Sequence, residues 1–392
     1  MAKLYKLINP VKNYEWGSFD MIPSFLGIPS DGLKPWAEMW MGNGSGAYSI
    51  TDAREECAEL RNAAGADVSF LFKLLAAEKP LSIQAHPNKE QAEWGFLREE
   101  TAGIALTDPR RNYKDNNHKP EIICAVTPFT AMAGFRTENE IKKNLGFFLS
   151  APEPQREVFS LLLDALEDGG LLGFFRSLFG LCAGRLKAVS LFFHENENPR
   201  AIPLFENKNG QWELMRVFAD MYPADPAVIS PLFLNLFTLE PGQAIYIPAG
   251  ILHSYVKGFG VELMANSDNV LRGGLTPKHV DADELINILD FCSFMPRIIT
   301  PDPSLTYFNF PSACGEFSLS LLKNNVGGGR KKFPVSGPAI CVVMDGEINF
   351  YIGGMTCAAF KKGGSFFINQ EQDQIFYDGN FSLYAASGVS GV

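Results

Sequence analysis

The first 136 residues alternate short apolar runs with proline, glycine and asparagine. "LINP" at 7–10, "WMGNGSG" at 40–46 and "AVTPFTAMAGF" at 125–135 predict strands broken by turns. One helix is expected among them, over about 88–100, opened by Asn88 and rich in Glu, Gln and Ala. The texture changes at Thr137, where a Thr cap with a Glu behind it predicts a helix start. Val158, Leu161, Leu162 and Ala165 then recur at helical spacing, more helix follows to about 195, and again around 211–221. Strand texture returns in "PLFLNLFTLEPGQAIYIPAGILHSYVKGFGVELMA" (231–265), and another all-β stretch begins near 297. There, "AICVVMDGEINFYIG" predicts a hairpin turning at Asp345-Gly346. The order β, α, β, β implies a mainly β protein with a helical insertion. Two jelly-roll β-domains and an α-helical domain are expected. The boundaries are 1–136 with 230–296 for a discontinuous first β-domain, 137–229 for the helical insertion, and 297–392 for the second β-domain.

Composition narrows the class. Of 392 residues, 46% are hydrophobic and 20% charged, which supports large cores and excludes global disorder. Net charge is −10 with no block of lysine and arginine, so nucleic acid is not expected as a partner; a local cationic pocket is still allowed. The seven cysteines form no CxxC pair, which suits a reducing compartment. The start carries no signal-peptide pattern. Asp164, Glu167, Asp168 and Arg176 interrupt the most apolar region, so it is not a membrane span. A soluble, cytoplasmic, monomeric protein is expected.

The candidate chemistry begins at "SIQAHP" (82–87). In a strand, residues two apart share a face, so Gln84 and His86 project side by side. Two polar groups on a buried face are costly unless something satisfies them. A second candidate is "GQAIYIPAGILH" (242–253), in which a Pro/Gly turn fixes where the next strand, opening with His253, enters. Its spacing resembles the second signature of the cupin superfamily. In the first cupin signature, Gln84-Ala85-His86 would replace one histidine by glutamine. Glu90 lies at the literal glutamate spacing, but Pro87 and the helix-like residues after it end the strand too early. Glu121 is the better carboxylate: it follows Pro120, opens the apolar strand "IICAV", and stands beside His118 and Lys119. Gln84, His86, Glu121 and His253 would offer two imidazoles, a carboxylate and an amide oxygen. That set suits one Zn²⁺ per chain with room for water or substrate. His194 and His279 read as surface or structural residues.

The chain resembles the type I phosphomannose isomerase family. The resemblance rests on "YEWGS" (14–18), "AEMWMG" (37–42), "FLFKLLAAEKPLSIQAHP" (70–87), "YKDNNHKPE" (113–121), "PFTAMAGFR" (128–136), "IPAGILHSY" (247–255) and "VELMANSDNVLRGGLTPKHVD" (261–281). It implies zinc on the same four residues. It also implies a catalytic jelly roll, a helical insertion and a second jelly roll without a metal site. The implied reaction interconverts mannose 6-phosphate and fructose 6-phosphate through an enediolate. Arg272 is then an active-site cation that stabilises developing negative charge. Lys278 and Ser82 are candidates for the phosphate, and Trp16 and Tyr255 for further substrate contact. The base is left open between Glu262, Lys119 and His118. One departure stands out: the family usually continues "WMG" with His-Pro, where this chain has Asn43-Gly44-Ser45. Two rival readings are an iron-dependent cupin oxygenase, which two histidines and a carboxylate would also fit, and a sugar-binding cupin without activity.

Overall fold

Strand Phe70–Ala77 is buried along its whole length, and its two faces go to different places. Phe70, Phe72, Leu74 and Ala76 join a core with Leu319, Ile340, Val342, Phe367 and Ala386 of a second sheet. The alternate residues face the interior of the first sheet. Period-two alternation repeats this split in its neighbours. Met39 and Met41, Ile122 and Cys124, and Val261 and Leu263 all pack in the inter-sheet core. Glu38, Trp40, Lys73, Glu121 and Glu262 therefore share the opposite face.

The computed structural model describes residues 3–44, 47–48, 50–53, 56–59, 68–197, 199, 202, 206–325, 329–335, 338–369 and 375–388. Ser45 of the departing loop lies outside them. The described residues form an eleven-stranded and a ten-stranded sheet packed face to face, with a helical region on the first. The long strand His253–Ala265 organises the eleven-stranded sheet. Its first half pairs with Phe129–Phe135, and its second half lies between Phe70–Ala77 and Glu121–Ala125. The change of neighbours falls at Gly258, whose φ is +140°; a Cβ there would stand 2.7 Å from the Phe129 ring. No helix among the described residues is long and apolar enough to cross a membrane.

The helix starts follow the sequence signals. Lys89–Thr101 is capped by Asn88 and Glu138–Phe147 by Thr137, each with a reciprocal capping box. Helices Gln155–Phe179, Ala183–Glu195 and Gln211–Met221 bury an aromatic core in which Phe148 stacks on Phe159 at 4.4 Å and meets Phe193 edge-on at 5.6 Å. Phe148 is fully buried. Phe148→Ala is expected to cost about 3–5 kcal/mol, because the helices cannot close over the lost ring. A urea midpoint shift equivalent to under about 1 kcal/mol at unchanged slope would show that the core collapses instead.

One expectation needs correction. Asp345-Gly346 is not a hairpin turn. It sits inside the continuous strand Ala339–Ile352, at a register shift against Phe376–Ser387, and the turn comes after Ile352, which pairs with Met355. Gly346 is required by close approach: at φ +73°, a Cβ would lie 1.9 Å from the Asn380 carbonyl oxygen. Strands of the first 136 residues fall in both sheets. Lys3–Ile8 pairs with Ser365–Asn369 and with Ile50–Ala53, which continues to Glu56–Glu59, so these strands extend the ten-stranded sheet. Pairing across such sequence separation leaves no local signal.

Candidate metal centre and the cavity beside it

Two strand beginnings and one strand end meet at one point. His253 opens its strand directly opposite Gln84 in the ladder, and Glu121 opens its own strand opposite Met264 and Ile247. The Pro248–Gly250 turn fixes the remaining element: the Gly250 amide donates to the His86 carbonyl at 2.8 Å. His86, Glu121 and His253 are all buried, and one potential ligand atom from each lies within 4.8 Å of the others.

Their hydrogen bonds decide their tautomers. His86 Nδ1 contacts the Asn269 carbonyl at 2.6 Å, and His253 Nδ1 contacts the Ile251 carbonyl at 2.9 Å. A carbonyl only accepts, so each Nδ1 carries the proton and each neutral ring keeps a lone pair on Nε2. Burial pushes His86 down to about 4, which keeps its ring neutral at pH 7. Those lone pairs then face a carboxylate: His86 Nε2 is 3.3 Å from Glu121 Oε1, and His253 Nε2 is 3.4 Å from Glu121 Oε2. Burial disfavours the Glu121 anion, but the His86 and His253 rings, where protonated, and the Lys119 ammonium outweigh it and hold the carboxyl well below its ordinary range. Both Nε2 atoms and Glu121 Oε2 are buried without a hydrogen-bond partner. Buried polar atoms are normally satisfied, and two imidazole lone pairs converging on a carboxylate are satisfied by a cation. The residues present therefore fit a metal ion, with Gln84 beside them on the cavity wall.

A cavity of about 650 Å³ opens from this point. Of the residues singled out from sequence, Trp16, Ser82, Gln84, Lys119, Glu121, Tyr255, Glu262, Arg272 and Lys278 line it. His118 does not belong with them: its Nε2 meets Glu316 Oε1 at 2.6 Å, at the other sheet. Preceding its strand, it escapes the alternation that turns Glu121 inward. His194 pairs with Asp220 on an exposed helical surface.

Sequence reasoning missed a cluster on the cavity wall. Lys73 Nζ lies 3.1 Å from Glu262 Oε2 and 3.5 Å from Glu38 Oε1, while Trp40 Nε1 donates to Glu38 Oε2 at 2.6 Å. A lysine inside the otherwise apolar "FLFKLLAA" was the available signal. Burial alone would lower Lys73, but Glu262, Glu38 and Glu121 raise it above its ordinary value and keep it charged. Burial raises Glu262 against the pull of Lys73, with Glu121 and Glu38 adding to the rise. Burial, with Glu262 and Glu121 nearby, raises the Tyr255 hydroxyl well above its ordinary value, so it stays protonated.

Arg272 and Lys278 flank a turn at the cavity wall. Desolvation lowers both, and Arg272 lowers Lys278 further. A partly buried guanidinium and an exposed ammonium facing one space suit an anionic ligand group. The arrangement thus combines a cation site, a carboxylate of raised pKa and an anion site around a space of small-molecule size.

The type I phosphomannose isomerase catalytic domain matches residues 4–138. Mannose-6-phosphate isomerase of Escherichia coli K12 is 32% identical over 97% of this chain and 98% of its own. The Homo sapiens mannose-6-phosphate isomerase is 31% identical, covering 94% of each chain. A zinc-bound crystal structure of mannose 6-phosphate isomerase superposes with a TM-score of 0.84 at 32% identity, over 98% of this chain and 99% of that one.

Proposed function

Because the chain belongs to the type I phosphomannose isomerase family, we propose that it interconverts mannose 6-phosphate and fructose 6-phosphate, with one zinc ion held by Gln84, His86, Glu121 and His253. The observation that carries the reading is the set of unpartnered Nε2 and Oε2 atoms beside a cavity whose wall carries Arg272 and Lys278. The eleven-stranded sheet is taken as the catalytic jelly roll, and the ten-stranded sheet as a second jelly roll that supports it.

Bound zinc supplies Lewis-acid polarisation of the oxygens on the reacting carbons. The remaining work falls to the chain. Arg272 and Lys278, with Ser82, bind the phosphate, and Arg272 also stabilises the enediolate charge. Glu262 removes the proton from one carbon and returns it to the other. Its raised pKa suits both halves of that exchange, and Lys73 at 3.1 Å keeps a fraction ionised. Lys119, 3.4 Å from Glu121, supplies a positive charge on the metal side. Trp16 and Tyr255 wall the cavity against water, and the Tyr255 hydroxyl serves as a donor to a sugar oxygen.

The test is conversion of mannose 6-phosphate to fructose 6-phosphate before metal stripping, after it, and after zinc is restored. Activity is expected to vanish with the metal and return with zinc. A folded, zinc-loaded chain that does not turn over would overturn the substrate assignment. Oxygen uptake with iron bound would favour the oxygenase alternative.

A further inference from the structure

The turn between Arg272 and Lys278 is held in a shape its own residues do not favour. Gly274 has φ +119° and Leu275 has φ +53°, the left-handed region that leucine seldom enters. The Leu275 side chain is buried in the helical core. The partner that holds the turn comes from the helical region. Asp225 Oδ2 accepts the Leu275 amide at 2.9 Å, and Oδ1 accepts the Ala227 amide at 2.8 Å. Contact is so close that a Cβ on Gly274 would lie 2.4 Å from Asp225 Oδ1 and 2.6 Å from the Ala227 Cβ. The segment is anchored from behind as well. Ala224, at φ +69°, donates its amide at 3.1 Å to Ser190 Oγ, on helix Ala183–Glu195. Met221 and Tyr222, immediately before it, line the cavity.

We propose that Asp225 is a positioning residue: a carboxylate from the helical region that locks the turn between Arg272 and Lys278, so that both cations address one phosphate. The inference rests on the reading of those two residues as the phosphate site. The chemistry is specific to a carboxylate. Each of its oxygens accepts one backbone N–H, whereas an amide offers one oxygen and turns its own N–H₂ towards the other donor. Released from Asp225, Leu275 relaxes out of the left-handed region and Lys278 shifts relative to Arg272, whose own backbone stays paired with Gln84. The metal ligands lie on other strands and are not moved.

The experiment compares zinc-loaded wild type, Asp225→Asn and Asp225→Ala. It reads KM and kcat for mannose 6-phosphate, the competitive Ki of inorganic phosphate, and zinc per chain. For Asp225→Asn, KM and the phosphate Ki are expected to rise about tenfold together, with kcat within about threefold, as befits loss of one hydrogen bond to a charged group at the binding end. Zinc content is expected to stay at wild-type level, and Asp225→Ala to show the larger rise. Asp225→Asn is close to isosteric and decides the matter if the alanine variant folds poorly. Unchanged KM and Ki in a folded Asp225→Asn protein would overturn the proposal. So would a fall in kcat and zinc content at constant KM. If zinc-loaded wild type does not isomerise the sugar phosphate, the functional reading falls instead. Calorimetric binding of inorganic phosphate to wild type and Asp225→Asn then still decides the role of Asp225.

Discussion

His253→Ala is expected to lose its metal and, with it, all measurable isomerase activity. His253 supplies one of two imidazoles whose Nδ1 atoms are tied to carbonyls and whose Nε2 atoms converge on Glu121. Zinc sites of four protein ligands bind with roughly 10–16 kcal/mol, so one ligand's share corresponds to about 10²–10³ in affinity. The substitution removes a lone pair without disturbing the neighbouring ladder, since the backbone pairing with Gln84 and Ala133 needs no side chain. Metal analysis after dialysis against a limiting chelator gives the answer directly. One zinc per chain in the variant, matching wild type, would remove His253 from the ligand set.

Arg272→Ala is expected to separate chemistry from metal binding. The residue pairs with Gln84 in the ladder, so its backbone is fixed beside the metal ligands while its guanidinium faces the cavity. Removing a preorganised charge that meets developing negative charge costs about 10²–10³ in turnover. Zinc content should equal that of wild type, because Arg272 holds none of the converging lone pairs. Near-normal kcat in the zinc-loaded variant would refute the role. Arg272→Lys is expected to recover little, because a lysine cannot reproduce the planar fork of donors.

The meeting of His86, Glu121 and His253, and the place of Gln84 and Arg272 on the cavity wall, were legible in the sequence because local rules sufficed. Gln84 and His86 lie two apart, His253 follows a Pro/Gly turn, Glu121 opens an apolar strand, and Arg272 sits in a conspicuous Gly-containing block. Lys73, Glu38 and Trp40 were not singled out. Their meaning depends on which face of a fully buried strand turns inward, and that is set by pairing with Glu262, far along the chain. His118 misled for the opposite reason. Closeness in sequence to Lys119 and Glu121 suggested a shared site, but its ring reaches a glutamate of the other sheet. Asp225 carries no local sign at all: it lies at the end of the helical region, and its partner is a backbone amide some fifty residues on. The Asp345-Gly346 pair shows how one signal serves two geometries, since a glycine with positive φ suits both a tight hairpin and a close crossing of strands.

The pairing of Lys3–Ile8 with Ser365–Asn369 has a consequence for biosynthesis. About 360 residues separate the two strands, so the earlier one leaves the ribosome long before its partner exists. At roughly 5–20 residues per second, that interval is on the order of 20–70 s. Throughout it, the nascent chain exposes the edge of Lys3–Ile8 that Ile50–Ala53 does not cover, and the metal-binding residues have their sheet only in its last part, after His253–Ala265 and Leu271–Gly274 are made. Chaperone engagement should therefore concentrate on the emerging amino-terminal strand, and nonsense truncation between residues 275 and 364 should yield aggregates even though every metal ligand has been made.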